Sequence, residues 1–239
     1  MGHATRSCPP EHDRPVHSSR RSLRSPLGTD LVLSVPAVAR PAGTTWVLLH
    51  GSDGHETDLL PLADRLAPDD AKIALRGTEP TPQGYAHFRR RPDRSLDEDD
   101  LRARIALLTD AVDHGSAQLA PAAHRFVLGF SNGAIAAAAL LERRPDLFTA
   151  GVLIRPQPPF QSGPVGTGSG VPVLVLDARF DARRAASDGL RTAERLRAVG
   201  AVVDHVTLPV HHGITALDED AIRRWSGGPA PGPVPHDLG

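Results

Sequence analysis

The chain has 239 residues, a formal net charge of -1 at pH 7 and a hydrophobic fraction of 40%. This length suffices for one globular domain, and the near-neutral charge argues against a general affinity for nucleic acid or anionic membranes. The single cysteine, Cys8, excludes an intrachain disulfide and argues against a thiolate metal site. No stretch reaches the ~18 apolar residues of a membrane-spanning helix.

The N-terminal segment is rich in Arg, Ser, Pro and His, and this composition predicts a disordered extension over residues 1–26. The stretch Ser19 to Leu23 contains two adjacent arginines, as a twin-arginine export signal does. Asp30 interrupts the apolar run that such a signal needs, so we favour a cytoplasmic protein. We expect the folded domain at residues 27–226 and a flexible Pro/Gly-rich tail at residues 227–239.

Apolar runs and amphipathic segments alternate along the middle of the chain. The predicted strands cover residues 31–35, 44–49, 71–75, 126–128, 150–154, 171–176 and 201–208, and the predicted helices cover 58–66, 98–112, 134–143, 188–199 and 215–225. We expect the first strand, Leu31 to Val35, at an edge of the sheet. The alternation predicts an α/β fold with a mostly parallel sheet and helices on both faces.

A long polar loop, residues 76–94, precedes the second predicted helix, and loops of this length are usually functional. Ser95 and Glu98 have the spacing of a capping box at the start of that helix. Acidic residues 97–100 fill the first turn, where carboxylates interact favourably with the helix dipole. We therefore interpret the acidic cluster as a solvated helix start and not as a metal site.

A Gly-x-Ser-x-Gly pentad runs from Gly129 to Gly133 and has Ser131 at its centre. It follows a predicted strand and precedes an alanine-rich helix, which is the context of a nucleophile elbow. Glycines are needed two residues before and after the serine because side chains there would collide with the flanking strand and helix. The pattern predicts that the Ser131 hydroxyl projects clear of the sheet as a nucleophile.

Candidate partners for this serine follow later predicted strands, and parallel strands bring such groups to one edge of the sheet. Ser131, Asp181 and His212 occur in the order Ser, Asp, His, which is the order found in α/β-hydrolases. His212 would remove the serine proton, and Asp181 would orient the imidazole. Asp177 and His211 are rivals: we favour Asp181 because Asp177 lies too close to its strand, and His212 because a glycine follows it.

An oxyanion formed during acyl transfer needs at least two N–H donors. We expect one from the backbone of Asn132, directly after the nucleophile, and one from Ser52 in the segment that follows the second predicted strand. His50, in the same segment, is interpreted as a structural residue that shapes this loop. The histidines lack the spacing of zinc ligands, so we predict no metal site.

Several segments of the chain resemble the small serine esterases without a cap domain in the carboxylesterase/phospholipase group of the α/β-hydrolase family. This group is related to acyl-protein thioesterases, and the similarity is greatest to the bacterial branch that includes hydroquinone-induced esterases. The matching stretches are LLHGSDGHETDLLPLADRLAP, GYAHFRRR, SLDEDDL, GFSNGAIAAAALLERRPDLF, GVLIRP, LDARFD and HHGIT.

The resemblance implies a three-layer fold, a cofactor-free enzyme and a homodimer. It implies the same roles for the nucleophile, the base, the acid and the two oxyanion donors that are given above. The chain departs from the usual family pattern at a few positions: Asp53 replaces a glycine, Ala178 and Ala182 replace the glycine and proline of the acid loop, and His211 stands where a glycine is common.

The short segment 155–170 is the only insertion available to cover the site, so we expect a shallow pocket that favours small or short-chain acyl esters. Its apolar wall is predicted to comprise Phe88, Pro158, Phe160 and Phe180. Arg89 and Arg90 could attract an anionic leaving group or tie their loop by salt bridges, and we favour the tie.

The sequence therefore predicts a serine carboxylesterase that acts on a small-molecule acyl ester through an acyl-enzyme. A thioesterase or a lysophospholipase with the same triad is an alternative. A non-catalytic binding protein with a hydrolase fold is another.

Overall fold

The computed structural model describes residues 18–36, 43–93, 95–166 and 170–227. The strands are β1 (Ser19–Arg24), β2 (Asp30–Val35), β3 (Thr44–Leu49), β4 (Ala71–Leu75), β5 (Glu79–Thr81), β6 (Gly84–Ala86), β7 (His124–Phe130), β8 (Ala150–Ile154), β9 (Pro172–Ala178) and β10 (Val202–Leu208). The helices are α1 (Leu60–Leu66), α2 (Glu98–Ala117), α3 (Asn132–Arg143), α4 (Asp188–Ala198) and α5 (Ala216–Gly227), with a 3₁₀ turn at Pro145–Leu147.

Eight of these strands form one sheet in the spatial order β1-β2-β4-β3-β7-β8-β9-β10. The six strands from β4 to β10 pair in parallel, and β1 and β2 are antiparallel additions at one side. β5 and β6 form a separate antiparallel hairpin inside the long polar loop. The prediction of a mostly parallel sheet is confirmed.

Two apolar cores cover the two faces of the sheet. Because successive side chains of a strand point to opposite faces, Val47 and Leu49 of β3 join one core, and Trp46 and Leu48 join the other. The first core includes side chains of α2, α3 and α4, and the second includes side chains of α1 and α5. This is the three-layer arrangement predicted from the sequence, and no cap domain covers it in the described residues.

The N-terminal prediction was wrong from Ser19 onward. Residues 19–24 form β1 and pair antiparallel with β2, so β2 lies inside the sheet and not at its edge. The side chains of β1 are mostly exposed and polar, as suits an edge strand, and Arg20 contacts Asp64 of α1 at 3.3 Å. Such a strand lacks the apolar alternation that identifies strands in a sequence. Residues 1–17 and the tail beyond 227 lie outside the described residues.

The predicted capping box was also wrong. Asp97 caps α2, because its carboxylate accepts a hydrogen bond from the Asp100 backbone N–H at 3.2 Å. The Ser95 hydroxyl instead donates to Asp93 at 2.6 Å. The acidic first turn does form a helix start. No helix in the described ranges is both long and apolar enough to cross a bilayer.

Candidate active site

Ser131 lies on a tight turn between β7 and α3. Its backbone has φ 52° and ψ -107°, a conformation that costs energy for any residue other than glycine and is frequent at functional sites. A Cβ atom at Gly129 would lie 2.6 Å from the carbonyl oxygen of Gly133, and one at Gly133 would collide with the carbonyl oxygen of Leu49. The two glycines of the pentad therefore allow the close approach of strand and helix that the elbow requires.

Ser131, His212 and Asp181 form one hydrogen-bonded chain. The Oγ of Ser131 lies 2.9 Å from Nε2 of His212, and Nδ1 of His212 lies 2.7 Å from Oδ2 of Asp181. A carboxylate can only accept, so Nδ1 carries the proton that is donated to Asp181, and Nε2 is left to accept from the serine hydroxyl. The carboxylate side chain is only 3% exposed and the imidazole 14%, so water competes little for these bonds.

The environment of the His212 imidazole favours its neutral form. Burial lowers its pKa below the usual value, and the adjacent Asp181 carboxylate opposes this shift. The positive charges of Arg184 and Arg183 lower the pKa further. A neutral imidazole with a free Nε2 lone pair is the form that can take a proton from Ser131.

The rivals to these residues point elsewhere. Asp177 contacts Nε2 of His205 at 2.8 Å, across the β9–β10 edge of the sheet. The Nδ1 of His211 donates to the carbonyl oxygen of Phe180 at 3.0 Å, and the His211 ring is exposed. Of the two aspartates only Asp181, and of the two histidines only His212, belongs to the hydrogen-bonded series that ends at Ser131.

A buried arginine holds the loop that carries His212. The guanidinium of Arg155 makes a bidentate ion pair with Asp218 of α5, at 2.7 and 2.9 Å. The same group donates to the carbonyl oxygens of His211 (3.4 Å) and Gly213 (3.3 Å), the residues on either side of His212. The sequence signal for this role is a charged residue directly after an apolar strand, but it does not identify the partner.

The expected oxyanion donors lie beside Ser131. Ser52 and Asn132 both line the cavity that contains the Ser131 side chain. Asn132 is the first residue of α3, where a backbone N–H has no acceptor within the helix. Its side chain is fixed, because Oδ1 accepts from the backbone N–H of His87 at 2.7 Å.

His50 shapes the loop that precedes Ser52. Its Nδ1 lies 2.6 Å from the carbonyl oxygen of Gly51, and its Nε2 accepts from the backbone N–H of Gly77 at 2.9 Å. Burial lowers the pKa of His50, which keeps the ring neutral. The predicted structural interpretation of His50 agrees with these contacts.

The cavity over Ser131 has a volume of about 830 Å³ and a more polar wall than the sequence predicts. Of the four aromatic and proline residues expected there, Phe88 lines it. Phe160 is instead buried against the guanidinium groups of α2, α3 and α4, which lie 4.9 to 5.6 Å from its ring centre. Phe180 is 53% exposed and packs on His211, and Pro158 lies outside the cavity wall.

Arginines take the place of the expected apolar side chains. The cavity wall contains the basic residues Arg89, Arg90, Arg183 and Arg184. Arg89 ties its loop to α2 through Asp97, as the structural interpretation predicted, and Arg90 donates to the side chain of Gln157 at 3.1 Å.

Arg184 contacts the Ser131 side chain directly. Its Nη2 donates to the Oγ of Ser131 at 3.0 Å, and its Nε donates to the carbonyl oxygen of Arg155 at 2.9 Å. Burial, together with the neighbouring charge of Arg90, lowers the pKa of Arg184 to about 10. No motif in the sequence points to this residue.

No cluster of three or more His, Cys, Asp or Glu side chains in the described part of the chain is arranged to hold a metal ion.

No protein-family model matches the chain, but individual proteins are similar to it in sequence and in structure. A protein named as a hydrolase, MhqD of Bacillus subtilis, is 28% identical over 185 residues, which cover 75% of this chain and 90% of MhqD. The crystal structure of a carboxylesterase from Mesorhizobium loti superimposes with a TM-score of 0.76 at 26% identity, over 84% of this chain and 95% of the other. The chain has the α/β-hydrolase fold, and its similarity to a hydrolase and a carboxylesterase supports an ester-hydrolysing enzyme.

A second relative of this α/β-hydrolase is longer. A protein named as an esterase, NocK of Nocardia uniformis, is 33% identical over 168 residues. The match covers 66% of this chain and 45% of NocK.

The backbone conformation of Asp53 shows how this residue fits a position where the family pattern has a glycine. Asp53 stands where the resemblance implies a glycine, and its φ is 62°, in the left-handed region that glycine tolerates best. Aspartate is among the few other residues that adopt this conformation at modest cost. Asp53 can therefore form the left-handed turn next to Ser52 although it is not a glycine.

Proposed function

We propose that this α/β-hydrolase is a serine carboxylesterase in which Ser131 is the nucleophile, His212 the general base and Asp181 the residue that orients the base. The observation that carries the proposal is the hydrogen-bonded chain from Asp181 through His212 to Ser131, at a strained elbow that opens into a cavity. The comparisons support ester hydrolysis in general. The individual roles rest on geometry and chemistry.

The proposed first half-reaction transfers the acyl group to the serine. His212 Nε2 accepts the hydroxyl proton as Ser131 Oγ bonds to the ester carbonyl carbon, and the carbonyl oxygen becomes an oxyanion. The backbone N–H groups of Ser52 and Asn132 donate to that oxyanion. The C–O bond to the alcohol then breaks, and His212 gives its proton to the departing alkoxide.

The second half-reaction releases the acid. Water replaces the alcohol, loses a proton to His212 and attacks the acyl carbon of the ester formed on Ser131. The proton returns to the Oγ as the second tetrahedral species breaks down, so the enzyme ends in its starting state. Asp181 stays ionised throughout and stabilises the imidazolium that forms twice in each cycle.

Small or short-chain acyl groups fit the proposal best. The cavity is open to solvent and has charged side chains in its wall, and a long apolar chain would not be buried there. The same feature disfavours the lysophospholipase alternative. A thioesterase would use the same residues and remains an alternative. The cytoplasmic location and the homodimer stay predictions.

Hydrolysis of 4-nitrophenyl acetate and butyrate tests the proposal. The purified chain should release nitrophenolate, and Ser131→Ala should reduce kcat/KM by at least about 10³-fold. Ser226→Ala is a matched control, because the Ser226 hydroxyl donates within α5, to the carbonyl oxygen of Ile222, and lies outside the cavity wall. If the wild-type chain and Ser131→Ala are equally slow, the esterase is rejected and the non-catalytic alternative is favoured. Hydrolysis of butyryl thioesters, followed through the release of the thiol, ranks ester against thioester.

A further inference from the structure

Arg184 is held rigidly next to the nucleophile. Its side chain donates three hydrogen bonds: from Nη2 to Ser131 Oγ (3.0 Å), from Nε to the carbonyl oxygen of Arg155 (2.9 Å) and from Nη1 to the carbonyl oxygen of Arg183 (3.2 Å). All three acceptors are uncharged oxygen atoms. No ion pair joins this guanidinium to a carboxylate in the ranges that the structure describes.

A positive charge in this position is costly for the protein alone. Withdrawing a guanidinium from water destabilises its charged form, and the nearby charges of Asp181 and Asp188 only partly offset this, so the pKa of Arg184 falls to about 10. Arg184 nevertheless remains protonated at neutral pH. The proposed ester hydrolysis does not explain the charge, since the backbone donors of Ser52 and Asn132 already serve the oxyanion.

The surrounding wall adds positive charge. Arg90 and Arg183 line the same cavity, and the charge of Arg90 is close enough to Arg184 to lower its pKa. The wall also contains two acidic residues, Asp53 and Glu79, against four arginines. Glu79 forms an ion pair with Arg104 at 3.3 Å, which offsets its charge, so the net charge of the wall is positive. Two guanidinium groups that repel each other across a cavity favour an anion between them.

We propose that Arg184, assisted by Arg90, binds a carboxylate of the substrate, so that the enzyme hydrolyses small esters that carry a free carboxylate near the scissile bond. The inference rests on the proposed role of Ser131 as the nucleophile. Arginine suits this task because its planar fork matches a carboxylate with two parallel hydrogen bonds.

The position of Arg184 also limits the size of the substrate. Because Nη2 lies 3.0 Å from Ser131 Oγ and a charged N–H···O bond is about 2.8 Å long, the bound carboxylate lies within about 6 Å of the nucleophile. Two or three carbon atoms between the carboxylate and the ester carbonyl span that separation. Monoesters of short dicarboxylic acids meet both conditions.

Two esters of nearly equal shape provide the kinetic test. Monoethyl succinate carries the carboxylate, and ethyl levulinate replaces it by an uncharged acetyl group. Ethanol release from each is followed by proton NMR for the wild-type chain, for Arg184→Gln and for Arg184→Lys. Arg179→Gln is the matched control, because Arg179 is exposed on the same segment and lies outside the cavity wall.

The quantity that decides is the ratio of kcat/KM for the charged ester to kcat/KM for the neutral ester. We expect the wild-type chain to prefer monoethyl succinate, and Arg184→Gln to lower the ratio by about 10- to 150-fold, the value of a charged hydrogen bond. Arg184→Lys should recover part of the ratio, and Arg179→Gln should leave it unchanged. A ratio that is the same in the wild-type chain and Arg184→Gln would overturn the proposal, even if both enzymes hydrolyse esters.

A binding experiment separates this inference from the proposed function. Succinate is titrated calorimetrically into Ser131→Ala, which lacks the nucleophile, and into the same variant with Arg184→Gln or Arg179→Gln added. We expect the Arg184→Gln change alone to weaken binding by at least about 10-fold. If the wild-type chain hydrolyses no ester but succinate binding still depends on Arg184, the esterase is rejected and the carboxylate site is kept. Binding that is equal with and without Arg184→Gln would overturn the site.

Discussion

Arg155 and Asp218 form a fully buried ion pair behind the loop that carries His212. The pair joins the end of β8 to the first turn of α5, and Arg155 also bonds the carbonyl oxygens on both sides of His212. The position of His212 next to Ser131 thus depends on Arg155 and Asp218, neither of which lines the cavity over Ser131. Several predictions can be made from this pair and from the groups around it.

Asp218→Asn should destabilise the fold and displace His212. The change leaves the Arg155 charge buried without its counter-ion, which costs about 3–5 kcal/mol in comparable buried pairs. Urea denaturation measures the loss. The double variant Arg155→Met/Asp218→Leu should recover much of the stability but not the activity, because the bonds to the His212 loop are absent. Full activity in the double variant would show that Arg155 does not position His212.

His212→Ala and His211→Ala should differ sharply. His212→Ala removes the proposed base and should lower kcat by about 10⁴-fold or more. His211→Ala removes one hydrogen bond from an exposed ring to the Phe180 carbonyl oxygen and should change kcat by less than about 3-fold. Steady-state hydrolysis of 4-nitrophenyl acetate distinguishes the two. A large loss confined to His211→Ala would reverse the assignment.

The same comparison applies to the two aspartates. Asp181→Asn should cost about 10⁴-fold in kcat, because an amide can donate to Nδ1 and stabilise the wrong tautomer of His212. Asp177→Asn alters only the contact with His205 and should leave kcat near that of the wild-type chain. A chain that tolerates Asp181→Asn would place the orienting acid elsewhere.

The pH dependence should report the environment of His212. The neutral imidazole is the proposed base, so kcat/KM should rise with pH and level off above the pKa of His212. Burial and the charge of Arg184 lower that pKa, so the midpoint should lie below the usual histidine value of about 6.5. Removing the charge by Arg184→Gln should move the midpoint upward. A midpoint that moves downward would contradict the described arrangement.

The fold and the central residues of the site could be predicted because local sequence patterns mark them. A run such as Val127 to Phe130 before a glycine-flanked serine identifies both a buried strand and its turn. The strand ends that carry Asp181 and His212 are read in the same way. Parallel pairing then brings all three to one edge without further information.

Other features depend on contacts between distant segments, which no local pattern encodes. β1 is polar because it lies at an edge, so its composition resembles that of an unfolded tail. Phe160 is an aromatic residue of the kind that often lines a pocket. Its ring is instead surrounded by three guanidinium groups from three different helices, which no local sequence pattern indicates. Arg184 is one of many arginines in the chain, and only the fold places it beside Ser131.

The proposed role of Ser131 is tested most directly by covalent labelling. An activated organophosphonate ester should react with one residue per chain, and peptide mass spectrometry should locate the adduct on Ser131. The adduct should be absent from Ser131→Ala and should form far more slowly in His212→Ala, because the base no longer accepts the hydroxyl proton. An adduct on another residue, or labelling of Ser131→Ala at the wild-type rate, would contradict the account.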